Sequence, residues 1–278
     1  MKLGGFVIHG NAGDTLRACL ESLGAVSDEV VAVDSGSTDG SAAIDAQFGI
    51  RRIELPWQGY GAARAAAARA LASCDYLFFL DSDEHLVTGS DEQIRRWKAS
   101  SPDAPAYQVK RHDWVDLDGH RFRFRTSARR RLLRRDAARW TPSMIVHEAV
   151  APVRTVLLPR VAVDHRFATA LDERAARNDR YALLWAVQAF DESRPSKPAA
   201  LQRLAHFGKE ALLSGSLFRG GADALRLSWR VSRYHALKYQ FLRRLRRGEM
   251  PDLVELYRRG DFRALFGRAD ETLGLGRR

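Results

Sequence analysis

An α/β fold with a mostly parallel sheet is predicted for residues 1–168, followed by a C-terminal helical extension over 169–278. Three observations predict it. Strand-like and helix-like apolar periods alternate through the first hundred residues, the order that builds βαβ units. Residues 76–80, Tyr-Leu-Phe-Phe-Leu, are apolar on both faces, as central parallel strands are. Beyond residue 169 the periods are long and helical, with no further strand pattern.

Each element follows in order. Phe6, Val7 and Ile8 read as a short buried strand. Leu16, Cys19, Leu20 and Leu23 recur at i, i+3, i+4 and i+7, one face of a helix that Gly24 stops. Residues 30–33 make the second strand and run into Asp34-Ser35-Gly36-Ser37. A helix over 41–48 closes at Gly49, and 50–55 is the third strand. Pro56 to Gly61 is a loop, 62–72 an Ala-rich helix, and 76–80 the fourth strand, entering Asp81-Ser82-Asp83-Glu84. Ser90 and Gln93 form a capping box for a helix ending near Lys98. Short strands over 106–111, 121–125, 131–135 and 145–150 read as antiparallel extensions. Over 121–125 Arg and Phe alternate, which sets three guanidiniums on one face and two rings on the other. Helices are predicted over 169–193, 199–214 and 221–247, with a break at Pro195 to Pro198.

The chain has 278 residues and a formal charge of +11, with 45% apolar and 28% charged side chains. That composition excludes a disordered chain, and no apolar run nears the length of a membrane-spanning helix. Cys19 and Cys74 sit in apolar patterns and read as buried thiols rather than a disulfide. Residues 1–100 carry nine Lys/Arg against fourteen Asp/Glu. Residues 101–200 carry nineteen against twelve, and 201–278 seventeen against eight. A basic remainder suits a phosphate-bearing, membrane or nucleic-acid partner. Arg-rich codon usage is a second source, since only six of the 45 basic residues are Lys. Nucleic acid is not expected, because no helix-turn-helix, zinc-finger or RNP pattern accompanies the charge.

Two acidic segments carry the chemistry. Asp34 to Gly40 lies at a strand end, where a carboxylate can accept from a base or ribose; read alone it serves equally as a turn. Asp81-Ser82-Asp83-Glu84 lies at another, where acids two apart can hold Mg2+ or Mn2+ for a diphosphate; alone it is also an ordinary acidic turn. Parallel α/β sheets bind ligands beyond the carboxyl ends of their strands, so both segments belong to one edge. His165 follows a buried-looking strand and reads as a structural His or one near an acceptor. Neither Ser37 nor Ser143 has the context of a nucleophile.

Together the segments VDSGSTDG at 33–40, PWQGYGAAR at 56–64 and LDSDE at 80–84 resemble the family 2 glycosyltransferases of the GT-A fold. Within that family the chain is similar to the lipopolysaccharide core beta-glucosyltransferase branch, with VHE at 146–148, DHRF at 164–167 and the basic segment 218–239 as later matches. The resemblance implies a catalytic domain over 1–168, its donor half 1–100 and its acceptor half 101–168, and a basic helical region over 169–278. It implies that Asp34 contacts the uracil or ribose of a UDP-sugar. Arg64, from a turn at 61–64, would reach the nucleotide or diphosphate. Asp81 would lie near ribose and metal, Asp83 would bind Mg2+ or Mn2+, and Glu148 would be the general base. Residues 9–14 depart from the family's usual segment after the first strand.

The implied reaction moves a hexose, glucose by the branch, from UDP-sugar to a lipopolysaccharide inner-core acceptor. It places the protein in the cytoplasm, peripheral to the inner membrane. A polyprenyl-linked, capsule or other acceptor is an alternative with the same donor chemistry. A basic membrane- or RNA-binding shell without turnover is another, which retention of both Arg64 and the acidic pair argues against.

Overall fold

The structure, a computed structural model, describes residues 1–141, 145 and 153–275. Residues 1–54 form β1 (Leu3–His9), α1 (Leu16–Gly24), β2 (Glu29–Asp34), α2 (Ser41–Gln47) and β3 (Arg51–Glu54). They are followed by α3 (Tyr60–Ala70), β4 (Tyr76–Asp81), β5 (Glu84–Leu86) and α4 (Ser90–Ala99). Three long strands come next: β6 (Ala106–Leu117), β7 (His120–Arg134) and β8 (Thr155–Ala168). The strands make one eight-stranded sheet in the order β3-β2-β1-β4-β7-β6-β8-β5. β3, β2, β1 and β4 run parallel, and β7 pairs antiparallel with β4.

Alternation along the parallel strands explains why they are central. Leu3 and Val7 of β1, with Tyr76, Phe78 and Leu80 of β4, pack against Leu16, Cys19, Leu20 and Leu23 of α1 and Ile94 and Trp97 of α4. Phe6 and Ile8, with Leu77 and Phe79, face the other way onto Ala63, Ala67 and Ala68 of α3. Alanines let α3 lie close to the sheet, and Trp140 fills the space beside Phe6 and Phe79 edge-on at 5.8 and 5.7 Å. A strand buried on both faces is apolar along nearly all its length; β1 is buried throughout, and its one polar side chain, His9, is held by Asp45 at 3.0 Å.

The antiparallel half is longer than the apolar patches suggest. The two segments read at 121–125 and 131–135 are one fifteen-residue strand, β7, and 106–111 is the first half of β6. The strand expected at 145–150 lies almost wholly outside the described residues. β8 pairs with β5 so that Glu84 stands opposite His165.

Helices complete the chain: α5 (Ala175–Asp191), α6 (Ala199–Gly208), a π-helical turn (Lys209–Leu213), α7 (Ser216–Arg246), α8 (Pro251–Arg259) and α9 (Phe262–Leu273). The chain divides into two compact units, Met1–Asp113 with Thr126–Phe167, and Trp114–Arg125 with Ala168–Arg278. Inside the second, α7 buries Leu227, Ala236, Tyr239, Leu242 and Leu245, with Tyr239 edge-on to Trp185 of α5 at 5.3 Å. Both Phe122 and Phe124 of β7 are buried, and a Cβ at Gly220 would lie 2.4 Å from the Phe122 ring. That close approach requires glycine. Cys19 and Cys74 are free and buried.

Candidate active site

The parallel register brings the ends of three strands together. His9 stands beside Asp34, and Ile8 beside Asp81. Asp34 is fully enclosed. Its Oδ1 accepts from the Ser37 amide (2.8 Å), the Ser37 hydroxyl (2.7 Å) and the Gly36 amide (3.1 Å), and its Oδ2 from Arg52 Nε (3.0 Å). Burial pushes its pKa up, but the Ser37 bonds, His9 and the Gly36 amide outweigh burial and hold it below the usual carboxylate value. The sequence reading expects this carboxylate on a base or ribose; in the structure it braces the 35–37 turn through one oxygen and meets Arg52 with the other. Asn11 and Asp39 tie the facing loops together: Asn11 Oδ1 accepts from the Thr38 amide (2.8 Å) and Asp39 Oδ2 from the Gly13 amide (2.9 Å).

The second strand end is an ion network. Arg64 lies in α3 rather than in the expected turn, because the helix begins at Tyr60. Its Nη2 donates to Asp81 Oδ1 at 3.0 Å. Arg131 of β7 donates to Asp81 Oδ2 at 2.7 Å and to Glu84 Oε1 at 2.5 Å. Glu84, buried, also accepts the Asp81 amide at 3.1 Å. Both guanidiniums lie over the Phe79 ring, at 4.7 and 5.3 Å, where an aromatic face favours cations. Burial would raise the Asp81 pKa, yet Arg131 and Arg64 hold it well below the carboxylate range. Removing one member would leave a buried charge uncompensated, so these groups fix one another.

Asp83 faces another way. Its Oδ2 lies 3.3 Å from His165 Nε2, and His165 Nδ1 lies 2.7 Å from Asp113 Oδ1. Asp113 is fully buried and is itself held by Arg111 at 2.9 Å. A carboxylate behind a histidine fixes the ring's orientation, the usual support of a metal-ligating imidazole. Asp83 and His165 offer the oxygen and nitrogen donors that would hold a divalent ion. Among the described residues no three His, Cys, Asp or Glu side chains could hold a metal on their own. Any ion here would draw its remaining ligands from the substrate and water.

The structure pairs Arg64 with Asp81, whereas Asp83, two residues on, turns to His165. Asp34 lies at the end of β2, with β1 between it and β4, and is turned into its own loop. Glu148 lies outside the described residues. The partners that sequence reasoning missed are Arg131, Arg111 and Asp113. A signal for Arg131 existed: in the run Arg129-Arg130-Arg131-Leu132, strand alternation turns every second side chain inward.

A mixed sheet whose parallel strands gather acidic groups at their carboxyl ends defines an α/β protein with its ligand site at that edge. Residues 6–158 match the model of Glycosyl transferase family 2. The chain belongs to that family; it is a glycosyltransferase. It is 32% identical over 201 residues to "Lipopolysaccharide core biosynthesis glycosyltransferase LpsC" of Rhizobium meliloti (strain 1021), covering 70% of this chain and 74% of that one. An uncharacterized glycosyltransferase of Rickettsia felis is 33% identical over 111 residues, 39% of each chain. Among solved structures, S. aureus TarS 1-349 aligns over 100% of this chain and 92% of its own, at 16% identity and a TM-score of 0.44. Glucosyl-3-phosphoglycerate synthase from Mycobacterium tuberculosis, in complex with Mg2+ and uridine-diphosphate, aligns over 63% and 74%, at 18% identity and a TM-score of 0.40.

Proposed function

We propose that the protein transfers a hexose, glucose by its branch resemblance, from a UDP-sugar to a lipopolysaccharide inner-core acceptor, with inversion and with Mg2+ or Mn2+ as cofactor. The observation that carries this reading is the facing pair of Asp83 and His165, backed by Asp113, beside the Arg64–Asp81 ion pair. Asp83 and His165 would hold the ion, and their mixed oxygen and nitrogen set suits Mn2+ somewhat better than Mg2+. When bound, the ion neutralises charge developing on the leaving diphosphate.

The chain's own residues do the rest. Asp113 keeps His165 Nε2 aimed at Asp83. Asp81 and Glu84 hold Arg64 and Arg131 at the edge of the donor site, where a guanidinium is suited to diphosphate oxygens. Asp34 holds the Gly36–Ser37 turn that borders the nucleoside. Glu148 serves as the general base on the acceptor hydroxyl, since inversion needs one base opposite the leaving group. The similarity to a lipopolysaccharide core enzyme over 70% of the chain supports the acceptor class. A glycolipid acceptor places the working enzyme at the cytoplasmic surface of the inner membrane.

The test is titration of UDP with and without Mn2+, alongside transfer of labelled glucose from UDP-glucose. Asp83→Ala should abolish transfer and weaken metal-dependent UDP binding about tenfold to a hundredfold, with an unchanged circular dichroism spectrum. Glu148→Gln should lower turnover by about 10²–10⁴ with donor affinity retained. Full transfer by Asp83→Ala, or by the parent protein in excess EDTA, overturns the metal role.

A further inference from the structure

The helical unit leaves one apolar surface uncovered. Ten large hydrophobic side chains are exposed among the described residues, and seven fall between positions 201 and 229. Leu201 and Leu204 belong to α6, and Leu212 and Leu213 to the π-helical turn. On α7, Phe218 comes first, then Leu225, with Trp229 one turn further on. Leu213 and Phe218 are the most open, 85% and 87% exposed. The two helices meet at Trp229. Arg203 of α6 lies over the Trp229 ring at 3.7 Å, and Phe207 meets that ring edge-on at 5.5 Å. Helix-forming segments normally turn such residues inward, and a contiguous exposed patch marks an interaction surface.

The charge around the patch says what covers it. Residues 199–230 hold five Lys/Arg and two acids. Neither acid offers a free charge: Glu210 is buried and paired with Arg125 at 2.8 Å, and Asp223 is engaged by His120 at 2.9 Å and Arg226 at 3.3 Å. Lys209 and Arg219 stand exposed beside Leu212, Leu213 and Phe218. An apolar tip with a basic rim and a Trp at its border matches the acyl boundary and phosphate layer of an anionic leaflet. A second copy of this face would bring like charge against like.

We propose that α6, the π-helical turn and the first turns of α7 dock into an anionic membrane leaflet. Leu213 and Phe218 enter deepest, while Lys209 lies at the lipid phosphates and Arg219, anchored on the carbonyls of Arg123, Phe124 and Ser214, adds positive charge at the rim. The proposal deepens the peripheral-membrane reading and rests on it for the choice of bilayer, but it uses none of the sugar-transfer residues.

The experiment is co-sedimentation of the full chain with vesicles of phosphatidylcholine alone or with phosphatidylglycerol added, and UDP–Mn2+ titration on the same samples. The parent should bind anionic vesicles about tenfold or more tighter than neutral ones, with binding weakened by salt. Leu213→Ser with Phe218→Ser should lose about tenfold or more of that affinity, with melting temperature and UDP–Mn2+ binding unchanged, since both side chains face solvent. Equal sedimentation of parent and double variant overturns the docking. So does absence of vesicle binding, whether or not a dimer dissolved by the two substitutions assigns the face to a second copy. A protein that binds vesicles but no UDP overturns the transferase reading alone.

Discussion

His165 stands between two carboxylates, and that position decides what a proton does at the site. Burial pushes its pKa down, but the bonds to Asp113 and Asp83 outweigh burial and raise it above the ordinary 6.5. A group raised in the folded state contributes stability that is fully present below 6.5 and lost as pH rises through the raised value. A metal ion needs the neutral ring, so proton and ion compete for Nε2. The melting temperature of the metal-free protein should therefore exceed that of His165→Gln most at acid pH, with the gap closing on the alkaline side. Affinity for UDP with Mn2+ should rise over the same window. A gap that is constant from about pH 5 to about pH 9 would remove the proton from His165. At this scale the sequence was only partly legible. Asp83 announces itself as an acid leaving an apolar strand. Asp113 does not, because its partner His165 lies about fifty residues away in the chain, and Arg131 shows only as an arginine on the inward side of a strand.

At the scale of elements, local period decides what can be read. β1, β2 and β4 are apolar on both faces and α1 repeats its leucines at helical spacing, so neighbours in sequence carry the whole signal. β7 hides its length because arginines occupy its outward and inward positions alike, and the inward ones are compensated only by distant acids. Gly220 is a different case. It reads as an unhelpful residue inside a helical pattern, yet it admits the Phe122 ring against α7. Gly220→Ala should destabilise the protein by about 1–3 kcal/mol, the range for overpacking a filled site. Phe122→Leu in the same chain should recover part of that loss, since residues in contact couple. Chemical denaturation of the two single variants and the double measures it. Additive losses would place the strain elsewhere.

For the whole molecule, the uneven charge now has structural content. Asp34, Asp81 and Asp83 of the acidic first hundred residues pair with Arg52, Arg64, Arg131 and His165 at the strand ends, whereas the exposed basic residues of the π-helical turn and α7 lie beside an apolar face. The division into units is less simple than a cut at one position. Residues 114–125 group with the helical unit, although both flanks of the segment group with the sheet. A chain ended after residue 168 should consequently bare Phe122 and Phe124 and aggregate, and Phe122→Ser with Phe124→Ser should return it to solution, as read by light scattering. A monodisperse truncated chain would mean that those rings find cover without the helices.

The same segment sets a waiting time in biosynthesis. His120 bonds to Asp223 and Arg125 to Glu210, partners 103 and 85 positions later. At about 5–20 residues per second of translation, the hairpin leaves the ribosome roughly 5–20 seconds ahead of the helices that cover its two phenylalanines. During that interval a nascent chain carries a finished strand with nothing to close it. The folding hazard of this protein is thus concentrated in twelve residues, and it is timed by the ribosome rather than by the sheet.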